Sequence, residues 1–324
     1  MRKKTLYFAT IAMMVFLGAC NTEDDMLVNN PEQTRTLTLT ASMPDDDPIT
    51  RIGLEKRDDN TIALTWQDGD ELQLLFVQND LKEKATATIK NITEEGKKAQ
   101  FDIALPTEIT DGTFTLYGVY GGGGLDDANP AIVKLPANPG NATSLADVQT
   151  RKDVILYFES ANIDAINPKA AVSFQHLGSL FNITLKNTAT SSLENIKGAR
   201  LVGIGGDGAW AYNNNEGAQT YNLLKGEFEN QASAGNYLSF AALNSTLLGN
   251  EEITFWGWYP PLPDKNWPEL KLELWDETTA TATSINNKIA RNNATATGKA
   301  FYFYAIWDGS KLSFTNSSYT PSIL

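Results

Sequence analysis

The sequence predicts an all-β chain built as two tandem β-sandwich domains, and three observations carry that prediction. Apolar residues recur at every second position in short runs: Leu37, Leu39 and Ala41 in TLTLTAS, Leu72, Leu74 and Phe76 in ELQLLF, and Leu270, Leu272 and Leu274 in LKLELW. Side chains along a strand alternate between its faces, so this period marks strands with one face turned inward. Turn chemistry separates the runs, as DDDP, QDGD, EEG, TDGT, GGGG and WDGS; Gly, Asp and Pro supply the backbone angles that a reversal needs. No stretch shows the period of a long amphipathic helix, and only FQHLGSLFNI (174–183) has mixed periodicity. Many short strands with turns between them fit packed sheets rather than alternating helices and strands.

Taken in order, the chain opens on Arg2, Lys3 and Lys4 and an apolar run from Leu6 to Leu17. A membrane-spanning helix needs about 20 apolar residues, so the run reads as the core of a secretory signal peptide covering residues 1–19. Leu17-Gly18-Ala19-Cys20 resembles a bacterial lipobox. That resemblance implies a diacylglycerol thioether on Cys20, acylation of the new amino terminus, and a membrane anchor. Cys20 is the single cysteine of the chain, so it has no disulfide partner. Several acyl chains together make a stable anchor where one is marginal. The acids of NTEDD (21–25) resemble the export signal that carries lipoproteins of Bacteroides-type bacteria to the outer face of the outer membrane. The expected location is therefore the cell outer membrane, surface-exposed. Residues 20–35 read as a tether.

Residues 36–165 then form the expected N-terminal domain, with Ile62, Leu64 and Trp66 in TIALTW and Phe101, Ile103 and Leu105 adding strands. A boundary is expected near 165, in the polar segment ESANIDAINPKAA with Pro168. Residues 166–324 form the expected C-terminal domain, closing on Phe301 and Phe303 in AFYFYAIW. The chain carries 26 basic and 39 acidic residues, a net charge of −13. Nucleic-acid binding rests on Lys and Arg neutralising phosphates, so this balance argues against it. It suits a solvated extracellular surface.

Candidate chemistry is sparse. His176 is the only histidine, and without a second one or a cysteine beside it neither a catalytic triad nor a typical zinc site can be assembled. It reads as structural. GIGGDG (203–208) matches a dinucleotide-binding pattern that has meaning only ahead of a helix, and AWAYNNNEG follows it. Acidic groups recur at Asp45-Asp46-Asp47, Asp58-Asp59, Asp68/Asp70 and Asp126-Asp127. A glycosidase holds two carboxylates about 5–10 Å apart in a cleft, whereas adjacent acids in turns read as solvated caps. Calcium at Asp68-Gly69-Asp70 would lack the twelve-residue loop pattern. No catalytic residue, metal or cofactor is expected, and the chain is not expected to be an enzyme.

The aromatic segment FWGWYPPLPDKNW (255–267) places Trp256 and Trp258 on one strand face and Phe255 and Tyr259 on the other, with Trp267 beyond a proline loop. Exposed tryptophans stack on sugar rings, which makes Trp256, Trp258 and Trp267 candidate glycan contacts. The competing expectation is that at least one set is core, because both faces of a sheet can be covered where domains meet.

Several stretches together resemble the fimbrillin-like family, the subunits of type V pili. TIALTWQDGDELQLLF (61–76) is similar to its W-x-x-G-D-x-[IL] signature, AAVSFQHLGSLFNITLKN (170–187) to the F-x-H strand that opens its second domain, and FYFYAIWDGSKLSFT (301–315) to its closing W-D-G hairpin. The resemblance implies transthyretin-like, Greek-key sandwiches and a lipoprotein precursor that joins a fimbria by donor-strand exchange. It implies other fimbrial subunits as partners, in a homo- or hetero-polymer, and a host or bacterial surface ligand. In polymerising members an arginine-specific protease cuts after the first strand; by position that residue is Arg51 here, with Arg57 and Arg35 as weaker candidates. Only TNSSYTPSIL follows the last hairpin, short for a stalk subunit's donor appendage, so tip, accessory and anchor roles stay open beside the stalk role. The alternative is a monomeric surface glycan-binding lipoprotein.

Overall fold

The computed structural model describes residues 35–44, 55–56, 62–204, 219–230, 237–241, 246–260, 266–276, 278–288, 291–294 and 297–315. The chain is all-β, and among the described residues the single α-helix is α1 (Leu145–Thr150). The N-terminal strands are β1 (Thr36–Ser42), β2 (Glu55–Lys56), β3 (Ile62–Ala63), β4 (Glu71–Gln78), β5 (Leu81–Thr88), β6 (Asn91–Thr93), β7 (Lys98–Ala104), β8 (Thr113–Tyr120), β9 (Ile132–Lys134), β10 (Leu156–Asp164), β11 (Lys169–Ser173) and β12 (Gln175–His176). Most of them form two sheets, ordered β11-β1-β7-β6 and β12-β10-β8-β4-β5. The alternation read in the sequence is an alternation of burial. Leu37, Leu39 and Ala41 of β1 and Phe101 of β7 share one core with Leu72, Leu74 and Phe76 of β4, Leu116 of β8 and Phe158 of β10. Each leucine or phenylalanine side chain buried so fully contributes about 1.5–3 kcal/mol.

The C-terminal strands are β13 (Ser179–Asn187), β14 (Leu193–Glu194), β15 (Gly198–Ile204), β16 (Thr220–Asn222), β17 (Glu227–Glu229), β18 (Tyr237–Ala241), β19 (Thr246–Leu247), β20 (Glu252–Tyr259), β21 (Asn266–Trp267), β22 (Glu269–Trp275), β23 (Ala280–Thr283), β24 (Arg291–Ala294), β25 (Ala300–Trp307) and β26 (Leu312–Thr315). Their two larger sheets run β20-β13-β25-β26 and β18-β15-β22-β23, around a core of Phe181, Ile183, Leu185, Leu201, Phe255, Leu272 and Leu274. β13 explains the mixed periodicity of its stretch. Phe181, Ile183 and Leu185 enter this core while Leu180 enters the N-terminal one, and a strand covered on both faces loses its clean alternation.

The two halves share a topology that no sequence repeat shows. β1 lies between β7, antiparallel to it, and β11, parallel to it. β13 lies between β20, antiparallel, and β25, parallel. Each half thus begins with a strand at the centre of a sheet rather than at its edge.

β11 and β12 follow residue 165, where the boundary was expected, yet they pair with β1 and β10. The chain passes into the C-terminal sheets at Leu177–Gly178, ahead of β13. Further links join the halves. β9 pairs with β16 in a three-stranded sheet, and Ala142 bridges Trp256 of β20. α1 follows that bridge. Ser144 Oγ accepts from the Asp147 amide at 3.0 Å, and the Asp147 carboxylate accepts from the Thr143 amide at 3.1 Å. These bonds satisfy amides at the helix start, and six residues are too few to show a helical period.

Candidate functional site

β1 and its surroundings form the best-defined candidate site. TLTLTAS carries three apolar side chains on one face, and Leu37, Leu39 and Ala41 are each 0% exposed. The threonines between them turn outward, Thr36 and Thr38 exposed and Thr40 half-buried. In register, Leu37 faces Ile103, Leu39 faces Phe101 and Ala41 faces Ala99 on β7; Leu39 also faces Ala170, and Ala41 faces Val172, on β11. Taking β1 out would therefore open a slot lined by apolar side chains and by unpaired backbone on both sides.

The signature W-Q-D-G-D closes one end of that slot. Trp66 is 2% exposed and its indole N–H donates to the Ala41 carbonyl at 3.3 Å. Its ring meets Phe101, Tyr120 and Phe174 edge-on, with centroids 5.5–5.6 Å apart. Asp70, itself buried, accepts from the Gln67 amide at 2.9 Å and from the Tyr120 hydroxyl at 2.9 Å. Burial, and then the Asp70 charge and hydrogen bond, push the Tyr120 hydroxyl far above the usual tyrosine range. Both Asp70 oxygens are thus engaged in pinning the turn below Trp66. The chain leaves β1 through Met43, whose amide donates to the Lys97 carbonyl at 2.9 Å.

Arg35 closes the other end. Its guanidinium donates to the carbonyls of Thr110 at 2.6 Å, of Ala165 at 3.0 Å and of Ile109. Its own carbonyl accepts from the Leu105 amide at 2.8 Å. A side chain so engaged cannot at the same time enter a protease's specificity pocket, so the bond after Arg35 is a poor cleavage point while β1 is in place. In sequence Arg35 is only a candidate cut site; its role as a clamp on β1 depends on loops 74–130 residues away. Hydrogen bonds to charged groups are worth roughly 1.5–3 kcal/mol. Arg35→Ala should accordingly lower the stability of the uncut protein by about 2–3 kcal/mol, read from urea unfolding. A change within error would show that the clamp does not hold β1.

Cys20, Arg51 and Arg57 lie outside the described residues, as do Asp45-Asp46-Asp47 and Asp58-Asp59 and the side chain of Trp267. Trp256 is 6% exposed and Trp258 0%, so neither indole offers a face to a sugar. The segment at 139–142 runs along the edge of β20 beside them: the Trp258 amide donates to the Pro139 carbonyl at 3.1 Å and the Trp256 amide to the Ala142 carbonyl at 2.8 Å. Both rings join the N-terminal core, while Phe255 and Tyr259 join the C-terminal one. Both sheet faces are covered because the halves meet there. Gly178 is part of this fit, since a Cβ on it would come within 2.4 Å of the Trp258 ring.

His176 is half-buried in β12, against Gly298. Of GIGGDG only Gly203 and Ile204 are described, at the end of β15. Asp126 caps a turn by accepting from the amides of Ala128 and Asn129, both at 2.9 Å, which lowers its pKa. Asp127 pairs with Lys84 at 2.7 Å. Asp308 of W-D-G-S accepts from the amides of Ser310 and Lys311, and Gly309 takes the left-handed angle that the hairpin needs.

No family model and no curated protein sequence matches the chain. Solved structures of similar fold include a candidate cell adhesion protein from Bacteroides ovatus, 13% identical with a TM-score of 0.48, covering 89% of this chain and 97% of that one. A candidate cell adhesion protein from Bacteroides uniformis is 14% identical with a TM-score of 0.46, covering 86% and 96%. A fimbrial anchor protein from Porphyromonas gingivalis is 7% identical with a TM-score of 0.40, covering 87% and 96%.

Proposed function

We propose that this chain is a surface lipoprotein that acts as a structural or adhesive subunit of a fimbria, and that β1 is the strand exchanged when it assembles. The observation that carries this reading is the position of β1. It sits at the centre of a sheet, with three fully buried side chains and hydrogen-bonded neighbours on both sides. A strand removed from such a place leaves a template that another chain's strand can fill. Arg35 at one end and Trp66 at the other hold β1 in place, and a donor strand has to displace it. Cys20 is the proposed lipid anchor and Arg51 the proposed cut site, so processing would free the body from the outer membrane. Burial of Trp256 and Trp258 weighs against the monomeric glycan-binding alternative as far as it rests on those rings.

A disulfide lock tests the exchange. Thr40 and Gln100 are directly opposed across β1 and β7, and in a chain with Cys20→Ser the pair Thr40→Cys and Gln100→Cys has no competing thiol. The oxidised, protease-cut protein should remain monomeric, and reduction should restore multimers, as seen on unheated gels. Equal assembly of the oxidised form would rule out loss of β1 as the assembly step. For the anchor, Cys20→Ala should abolish labelling by a radioactive fatty acid and release the protein from membranes; undiminished labelling would end that part of the proposal.

A further inference from the structure

The outward face of the sheet β18-β15-β22-β23 carries an arginine held between two aromatic rings. The guanidinium carbon of Arg200 lies 3.5 Å from the centre of the Trp275 ring and 4.2 Å from that of Tyr237. Register sets this up. Arg200 is opposite Ser239 on one side and Glu273 on the other, while Tyr237 pairs with Val202 and Trp275 with Gly198. The two rings therefore flank Arg200 on opposite diagonals, close enough for long side chains to meet. All three are half-buried and alternate with core residues, Ala199 and Leu201 beside Arg200, Leu238 beside Tyr237 and Leu274 beside Trp275.

Stacking uses the two faces of a guanidinium and leaves its N–H groups, which lie in the plane, for other partners. Among the described residues none of those N–H groups has a protein acceptor. The carboxylate nearest in register is already committed. Glu273 accepts from Lys271 Nζ at 2.6 Å and from the Trp275 indole at 3.0 Å, and its side chain is 12% exposed. Glu273 thus serves to fix Trp275, and the fork of Arg200 is oriented but unused. A carboxylate matches such a fork in two parallel hydrogen bonds.

We propose that this face is a binding site for a carboxylated saccharide, with Arg200 receiving the carboxylate and Tyr237 and Trp275 lying alongside the sugar. Exposed hydroxyls stand on the same face, on Ser239 opposite Arg200 and on Thr283 opposite Glu273, and they suit sugar hydroxyls. The aromatic rings offer apolar surface to the C–H faces of a sugar. A peptide is the poorer fit, because the backbone groups of β15 are spent in its ladders with β18 and β22, and peptide capture on a sheet relies on an open edge. The net charge of −13 makes the rest of the surface unfavourable to acidic ligands, which localises them at Arg200. The inference goes beyond assembly and needs no strand exchange.

Calorimetric titration of the mature chain with oligogalacturonate tests it, against the fully methyl-esterified oligomer, inorganic phosphate and a short peptide with a free carboxyl terminus. The acidic oligomer should bind, and its ester, with the same sugars but no charge, should bind at least about tenfold more weakly. Arg200→Lys keeps a cation but loses the fork and the stacking, and should weaken binding roughly tenfold or more. Arg200→Gln should do the same, with both variants folded cooperatively and melting within about 5 °C of the parent chain. No binding by the unmodified chain, equal binding of the ester, or full affinity in Arg200→Lys would overturn the proposal. Equal binding of phosphate would make the site a general anion site, and equal binding of the peptide a peptide site; either also overturns it. The Arg200 variants should assemble normally after cleavage, so failure here is distinguishable from failure of the fimbrial reading.

Discussion

Trypsin treatment of the mature protein should give a new amino terminus at Ile52, and the cut protein should then form multimers that the Arg51→Ala variant does not form. The segment PDDDPIT joins β1 to Arg51 and carries two prolines and three acids, the polar composition of connections where proteases cut. Arg35, the alternative on the other side of β1, has its side chain engaged by three carbonyls. After the cut, β1 is still held by its ladders, by the Arg35 clamp, by the Trp66 indole and by burial. Leu37 and Leu39 are each 0% exposed, and losing both costs about 1.5–3 kcal/mol apiece. Release is therefore unfavourable alone, and a donor strand that restores the same burial and both ladders offsets it. Amino-terminal sequencing identifies the cut and an unheated gel reports the ladder. Efficient assembly of uncut Arg51→Ala would sink this mechanism. A cut protein that stays a stable monomer would instead point to a subunit that does not polymerise.

Trp258→Ala should destabilise the protein by about 3–5 kcal/mol, the usual cost of truncating a fully buried aromatic side chain. The ring is 0% exposed and its close approach to Gly178 leaves little room for collapse around the cavity. Trp256, at 6% exposure, packs edge-on against Tyr302 with centroids 5.9 Å apart and should cost somewhat less. Because these rings sit where the two halves meet, the loss should lower the unfolding midpoint of the whole chain in urea. A double alanine variant that melts normally but has lost glycan affinity would reverse this conclusion and return both tryptophans to the sugar-binding role.

The β-class of the chain and the inward faces of its strands were legible in the sequence. Leu37/Leu39/Ala41, Leu72/Leu74/Phe76 and Leu270/Leu272/Leu274 are all buried, because a period of two is a local property that needs no partner to be read. The signature at Trp66 was legible as a motif, and its mechanics were not: the contacts of Asp70 with Tyr120 and of Trp66 with Phe174 join residues far apart in sequence. Only the tertiary structure decided that β1 is a central strand, since its parallel partner β11 follows more than a hundred residues later and an edge strand has the same alternation. It also decided that Trp256 and Trp258 are core, because the residues they pack with belong to the N-terminal half. Arg200 came between Tyr237 and Trp275 by register alone. Strand identity is written in short-range alternation, whereas neighbours are chosen by long-range pairing and by what fills the space between sheets.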